Sequence, residues 1–235
     1  MQSGAFVRAF LVVAVLSVLA APAAAQVGHP PDRSPYRDRD YNREWTYFGG
    51  TFSAERDPVG VAPTDGPVGG VRWQMHMTGP LYFGVRLAGG SIERTVIDPA
   101  KRIAERTVGT EKVPMAFADF GLEMSLTGHK TWRGLAPFIN GGLGVVADLR
   151  GDNDVGSYRF GIPFTMTLGT GVSWTPARNW SVRLDWSHYL YRIQYPTTYY
   201  LKVTEDPAVL PVGAARSMWR RNPALTLGVT LFRPR

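Results

Sequence analysis

Ile162–Arg192, IPFTMTLGTGVSWTPARNWSVRLDWSHYLYR, is the stretch on which the fold turns. It reads as two long alternating arms around a short break. Phe164, Met166, Leu168, Val172 and Trp174 share one face of the first arm; Thr165, Thr167, Gly169, Gly171 and Ser173 share the other. On the second arm Trp180, Val182, Leu184, Trp186 and Leu190 face one way, and Ser181, Arg183, Asp185, Ser187 and Tyr189 the other. Alternation of period two is the mark of a strand with unlike faces. Each arm is about ten residues, longer than the usual strand of about five or six and close to the roughly 9–11 of a tilted membrane-crossing strand.

Thr175-Pro176-Ala177-Arg178-Asn179 supplies the turn, with Pro and Asn as turn formers. Pairing symmetric about Ala177 sets Trp174 against Trp180, Val172 against Val182 and Leu168 against Trp186. On the opposite face it sets Gly169 against Asp185 and Gly171 against Arg183. Large polar groups facing glycines suit a narrow, filled barrel interior. Trp174 and Trp180 are expected in one interfacial girdle and Tyr189 and Tyr191 in the other. Trp180 to Leu190 spans about 33 Å along a strand, or about 23 Å of height at a tilt near 45°. A soluble barrel or sandwich would leave those Trp and Leu side chains in water.

The rest of the 235-residue chain extends the pattern. Arg8, the apolar run Ala9 to Ala20 and Ala21-Pro22-Ala23-Ala24-Ala25 read as a signal peptide, residues 1–25. The apolar run is short for a membrane helix. No later stretch is apolar enough for one, and the chain has no cysteine to acylate or oxidise. Gln26 to Glu44 is charged and Pro-containing, and is expected to be a disordered periplasmic arm. The RDRD run at Arg37 to Asp40 reads as a solvated stretch of it. Residues 45–235 carry eight expected strands: Trp45 to Ser53, Gly66 to Thr78, Leu81 to Gly89, Pro114 to Thr127, Gly134 to Asp148, the two arms above, and Asn222 to Phe232. Long connections at Ala54 to Asp65, Gly90 to Val113, Leu149 to Gly161 and Ile193 to Arg221 alternate with short turns. An even strand count with loops segregated by length predicts an all-β, antiparallel, up-and-down transmembrane barrel, with short periplasmic turns and long extracellular loops.

Three segments carry a family likeness: WTYFGG at Trp45, PFINGGLG at Pro137 and TLGVTLF at Thr226. With the leader, the chain from Trp45 onward resembles the small eight-stranded outer-membrane β-barrels of the OmpA/OmpX type. The resemblance implies outer-membrane location, contact with outer-membrane lipid and lipopolysaccharide, barrel-assembly machinery as a partner in biogenesis, and a monomer. Members of that family usually end on an aromatic residue; here Phe232 is followed by Arg233-Pro234-Arg235.

Inward parity collects Arg72, Gln74, His76, Arg86, Asp119, Glu123, Arg183 and Asp185. Pairing about Gly79 sets Arg72 against Arg86, so these arginines need the acids of the next strand. The expected lumen charge network is Arg72, Arg86, Asp119, Glu123, Arg183 and Asp185, since buried charges must be paired. A filled lumen acting in envelope structure or surface interaction is the reading; a narrow pore for small solutes is the alternative. Some barrels of this type act on envelope lipid through Ser, His and an acid. Asp185, Ser187 and His188 have the residue types, but parity turns His188 outward, so no catalytic residue is assigned. No cofactor or metal spacing is present, and Gly151-Asp152-Asn153-Asp154 lacks the distal Glu of a calcium loop. The net charge of +7 is mostly arginine, and an exported chain meets acidic lipids or sugars rather than nucleic acid. Tyr199, Tyr200, Lys202, Arg216, Trp219 and Arg220 in the last long connection read as an outer rim able to touch sugars.

Overall fold

In the computed structural model eight long strands close on themselves. It describes residues 34–232, except 40, 55, 151–153 and 204. The expected signal peptide, the first part of the arm, the Gly151–Asn153 turn and the last three residues lie outside that range. The strands are β1 Tyr36–Asp38, β2 Arg43–Ser53, β3 Asp65–Thr78, β4 Leu81–Ile97, β5 Thr107–Ser125, β6 Lys130–Trp132, β7 Leu135–Asp148, β8 Phe164–Trp174, β9 Trp180–Gln194 and β10 Ser217–Phe232. The ring runs β7-β5-β4-β3-β2-β10-β9-β8, and β7–β8 pairing closes it. Every ladder is antiparallel. Closure leaves no unpaired barrel edge, which matters because an open edge offers unsatisfied N–H and C=O groups. β1 and β6 form a small ladder outside the ring, with Arg37 opposite Thr131.

The outer wall is apolar. Trp45, Leu87, Phe120, Leu143, Leu168, Leu184, Leu227 and Val229 are all exposed. Trp174 and Trp180 point outward at the turn end, where the register also sets Trp45 against Trp73 and Trp180 against Leu231. The connections at that end are Gly79-Pro80, residues 126–134 and residues 175–179; those at the other end are 54–64, 98–106, 149–163 and 195–216. The segregation is weaker than expected, because residues 126–134 are lengthened by β6.

Three expectations are corrected. The Ile162–Arg192 hairpin is shifted by two residues: Trp174 faces Val182, Val172 faces Leu184, Gly171 faces Asp185 and Gly169 faces Ser187. All of Thr175–Asn179 stays outside the ladder, so the symmetry centre is Arg178, while the even shift preserves which face each residue takes. Tyr189 and Tyr191 are buried, at 5% and 1% exposure, and are not a girdle. They share parity with Arg183 and Asp185 and therefore point inward. The described end of the arm is structured: β1 pairs with β6 and Tyr41 stacks on Phe232 at 3.8 Å between ring centres.

The long polar connections also shrink. β4 runs on to Ile97 and β5 starts at Thr107. In these extensions the alternation changes sign. Ile92, Arg94 and Val96 are buried inside, while Ser91 and Glu93 face out. Val113, Met115 and Phe117 do the same on β5. This is the pattern of a wall with water outside and an apolar core within.

Candidate functional site

The interior has two parts. Its turn-side part is charged. Arg72 lies directly opposite Arg86 on the neighbouring strand, an arrangement that requires acids on either side. Arg86 forks onto Asp119, its partner across the β4–β5 ladder, with Nε–Oδ2 at 2.9 Å and Nη2–Oδ1 at 3.1 Å. Its Nη1 donates to Ser187 Oγ at 3.2 Å. Arg72 Nη1 donates to Asp185 Oδ2 at 3.0 Å, crossing the barrel interior from β3 to β9. Arg183 is the hub: Nε donates to Asp185 Oδ2 at 2.5 Å, Nη1 to Gln74 Oε1 at 3.0 Å and to Glu123 Oε1 at 3.1 Å, and Nη2 to Glu123 Oε2. Gln74 and Asn140 donate to Glu123 and Asp185 at 3.0 and 3.1 Å. The Arg183 guanidinium also lies over the Phe138 ring, 3.7 Å from its centre. All six charged groups are at most 9% exposed, and their charges cancel as three of each sign.

Glycines make room for these long side chains. A Cβ at Gly171 would stand 2.2 Å from the Leu184 carbonyl oxygen and 2.3 Å from Phe138 Cζ. The remaining space among Arg72, Arg86, Asp119, Glu123 and Asn140 is about 30 Å³, room for about one water.

The loop-side part is aromatic and aliphatic. Phe52, Ile92, Val113, Met115, Phe117, Val146, Tyr189, Tyr191 and Tyr199 belong to one buried cluster. Tyr189 stands at the boundary, packed on Phe117 at 5.2 Å and under the Arg86 guanidinium at 5.1 Å. Loop segments cap this core. Asp57 accepts the Ala62 N–H at 2.9 Å and the Tyr195 hydroxyl at 2.7 Å. Buried Arg94 pairs with Asp154 at 3.0 Å and Glu111 at 2.7 Å. Ile103 N donates to Asp206 at 2.9 Å, and Thr198 Oγ1 to the Gly156 carbonyl at 2.8 Å. Of the rim residues read from sequence, Tyr199 is fully buried, whereas Trp219 is 54% exposed.

Sequence reasoning missed a third arrangement, at the turn end. Arg39 donates its main-chain N–H to the His129 carbonyl at 3.1 Å and a guanidinium N–H to the Tyr82 hydroxyl at 3.1 Å. The Tyr82 oxygen is 3.0 Å from His129 Nδ1. Arginine only donates, so the phenol hydrogen is left for His129 Nδ1, which must then carry no proton. His76 stacks beside it at 4.1 Å and shares Nε2 with the Gly79 carbonyl at 3.0 Å. Burial, then the neighbouring His76, holds the His129 pKa below its ordinary value, with Asp38 opposing. Docking of the N-terminal strap, β1 with Arg39, is therefore strongest above about pH 6.5 and weakens as pH falls from there through the lowered folded value, because the released state binds the extra proton more readily. Hydrogen-exchange protection of the Arg39 amide should fall between pH 8 and pH 5, by up to about tenfold per unit of pKa difference. His129→Gln should remove that dependence.

Asp185, Ser187 and His188 do not converge. Asp185 accepts from Arg72, Arg183 and Asn140, Ser187 from Arg86, and His188 lies on the outer wall against Trp186 at 4.8 Å. Among the described residues no group of three His, Cys, Asp or Glu side chains is placed to hold a metal.

Closure, parity and filling define the class: a small eight-stranded antiparallel barrel with an apolar outside and a packed inside. Among solved structures the chain is similar to Neisserial surface protein A, at 10% identity over 85% of this chain and 98% of that one, with a TM-score of 0.48. It is similar also to the outer membrane protein OprG of Pseudomonas aeruginosa, at 8% identity over 83% and 99%, with a TM-score of 0.49. A third is Outer Membrane Protein W of E. coli, at 10% over 83% and 99%, with a TM-score of 0.46. No family model and no curated protein matches the sequence.

Proposed function

We propose that the chain is an integral outer-membrane barrel that serves envelope structure or surface interaction through its loop end and does not conduct solutes. One observation carries the reading: the wall exposes Leu, Trp, Phe and Val while the interior holds the arginines and carboxylates. In water this inversion would leave a continuous apolar belt unburied; in a bilayer it is the expected arrangement. Export by residues 1–25 and biogenesis through barrel-assembly machinery fit the same reading, which sets the short turns in the periplasm and the capped loops outside. A charged layer with room for about one water among Arg72, Arg86, Asp119, Glu123 and Asn140, crossed by the Arg72–Asp185 and Arg183–Glu123 pairs, favours a plug over the narrow-pore reading. The inward Asp185 and Ser187, separated from His188 by the wall itself, argue against the lipid-acting enzyme.

The test is fractionation of expressing cells, followed by electrophoresis of the outer-membrane fraction with and without boiling and by planar-bilayer recording of the purified protein. Recovery in outer membranes, a heat-dependent mobility shift and silent bilayers are expected. Recovery in the soluble periplasmic fraction would overturn the membrane assignment. Steady unitary openings that vanish on boiling would overturn the plug.

A further inference from the structure

Two cations sit on the outside of the barrel where lipid would be. On β9, His188, Leu190 and Arg192 share the outward face of Leu184 and Trp186, between buried Ser187, Tyr189, Tyr191 and Ile193. On β10, Trp219 and Arg221 face outward with Leu225 and Leu227. The ladder sets Leu225 beside Trp186, Pro223 beside His188, Arg221 beside Leu190 and Trp219 beside Arg192. Arg192 and Arg221 are thus diagonal neighbours across one strand pair, within reach of a shared ligand.

Height places this ledge. Trp180 and Leu231 mark the lower edge of the apolar wall. Ten residues of tilted strand bring the Leu190–Arg221 rung about 23 Å above it, and Arg192 stands a further two residues up. The apolar band of such barrels is about 25 Å tall. Both guanidinium groups therefore stand at its upper boundary, where lipid headgroups begin. Arg192 donates to Ser217 Oγ from Nε, at 2.8 Å, and from Nη2, which fixes it on the wall and leaves its Nη1 donors for a ligand. Arg221 is exposed, and its side chain has no ion pair or hydrogen bond among the described residues. Among the described residues no carboxylate pairs with either. An arginine at a lipid boundary needs an anion or water for its fork of donors, and the fork matches phosphate in two-point geometry. Trp219, at 54% exposure, offers the flat amphipathic face favoured at that depth.

From these observations we infer that Arg192 and Arg221, flanked by His188 and Trp219, form a site on the outer wall for the phosphate of a phosphorylated glycolipid of the outer leaflet. The inference rests on the outer-membrane reading above and adds the ligand and its residues. The lipid docks from the side, with its acyl chains along Leu184, Trp186 and Leu225, and its phosphate between the two guanidinium groups.

The test uses the full exported chain refolded in zwitterionic micelles, with the unboiled electrophoretic band as the check of folding. Native mass spectrometry counts bound lipid A, bisphosphorylated or dephosphorylated, and inorganic phosphate is titrated separately. The folded wild type should retain one bisphosphorylated lipid A. The R192Q/R221Q variant should bind it about tenfold or more weakly, as expected for the loss of charge-assisted hydrogen bonds. Dephosphorylated lipid should bind wild type and variant alike. If the double variant loses the folded band, Arg221→Gln alone carries the comparison. Equal retention by wild type and folded variant would overturn the site, as would inorganic phosphate binding as tightly as the lipid. A wild-type chain with no heat-shifted band would instead strike the membrane reading on which the site depends.

Discussion

Arg183→Met should destabilise the barrel by about 3 kcal/mol, the scale for breaking a buried ion pair. Methionine fills much of the space over Phe138, so the loss is electrostatic rather than a cavity. Glu123 loses both of its close guanidinium contacts, and Asp185 keeps Arg72 as its one close guanidinium beside the Asn140 amide. Urea unfolding in lipid vesicles, followed by the heat-shifted band, measures the change. Replacing both members, Arg183→Met with Glu123→Leu, should recover a large part of the loss, because no charge is then stranded at that point. The exposed Arg150–Glu111 pair supplies the contrast: Arg150→Met should change stability by less than about 1 kcal/mol. A negligible effect at Arg183 would mean that the lumen is wet enough to solvate the freed carboxylates, and the plug would lose its basis.

The second large effect is on the opposite face. Leu227 is 59% exposed, beside Leu184 and Gly49 near mid-height of the apolar wall. Leu227→Arg should cost about 2–4 kcal/mol in a bilayer, the value for a cation near the midplane of a barrel's lipid face. A barrel surrounded by water would tolerate the same change within about 0.5 kcal/mol, as at any exposed site. Leu149→Arg, at a 63% exposed position just beyond β7, should be neutral in either setting. Comparing these two variants in vesicles separates lipid contact from mere surface exposure.

Parity made much of this legible in the sequence, and parity also explains the misses. The charged half of the lumen follows from alternation alone, since a two-residue slip in the β8–β9 hairpin leaves every residue on its own face. The slip went unseen because Thr175–Asn179 has no strong signal for one pairing centre over another. Tyr189 and Tyr191 were misread by residue type, although their spacing from Asp185 already turned them inward. The loop-side core was hidden by the reversal of sign. Ile92-Glu93-Arg94-Thr95-Val96 alternates like the apolar wall but with Ile92 and Val96 inward and Glu93 and Thr95 outward, and the inward Arg94, with its mixed-charge neighbours, makes it look like a loop. Lys112 opposite Glu93, paired at 3.8 Å on the outside, is the signal that could have extended those strands. The Arg39–Tyr82–His129–His76 cluster joins the N-terminal strap to β3, β4 and the β5–β6 turn, and no local pattern announces contacts so far apart in sequence.

The native chain lacks cysteine, so single cysteines can carry spin labels at chosen sites without a background. The central claim is that the apolar wall meets lipid, and labels at positions 168, 184 and 227 in vesicle-reconstituted protein address it directly. Collision with dissolved oxygen should exceed collision with a water-soluble nickel chelate at all three, while a label at Val212, 90% exposed in the last loop, should show the reverse. Nickel collision at 168, 184 and 227 matching that at 212 would contradict the account.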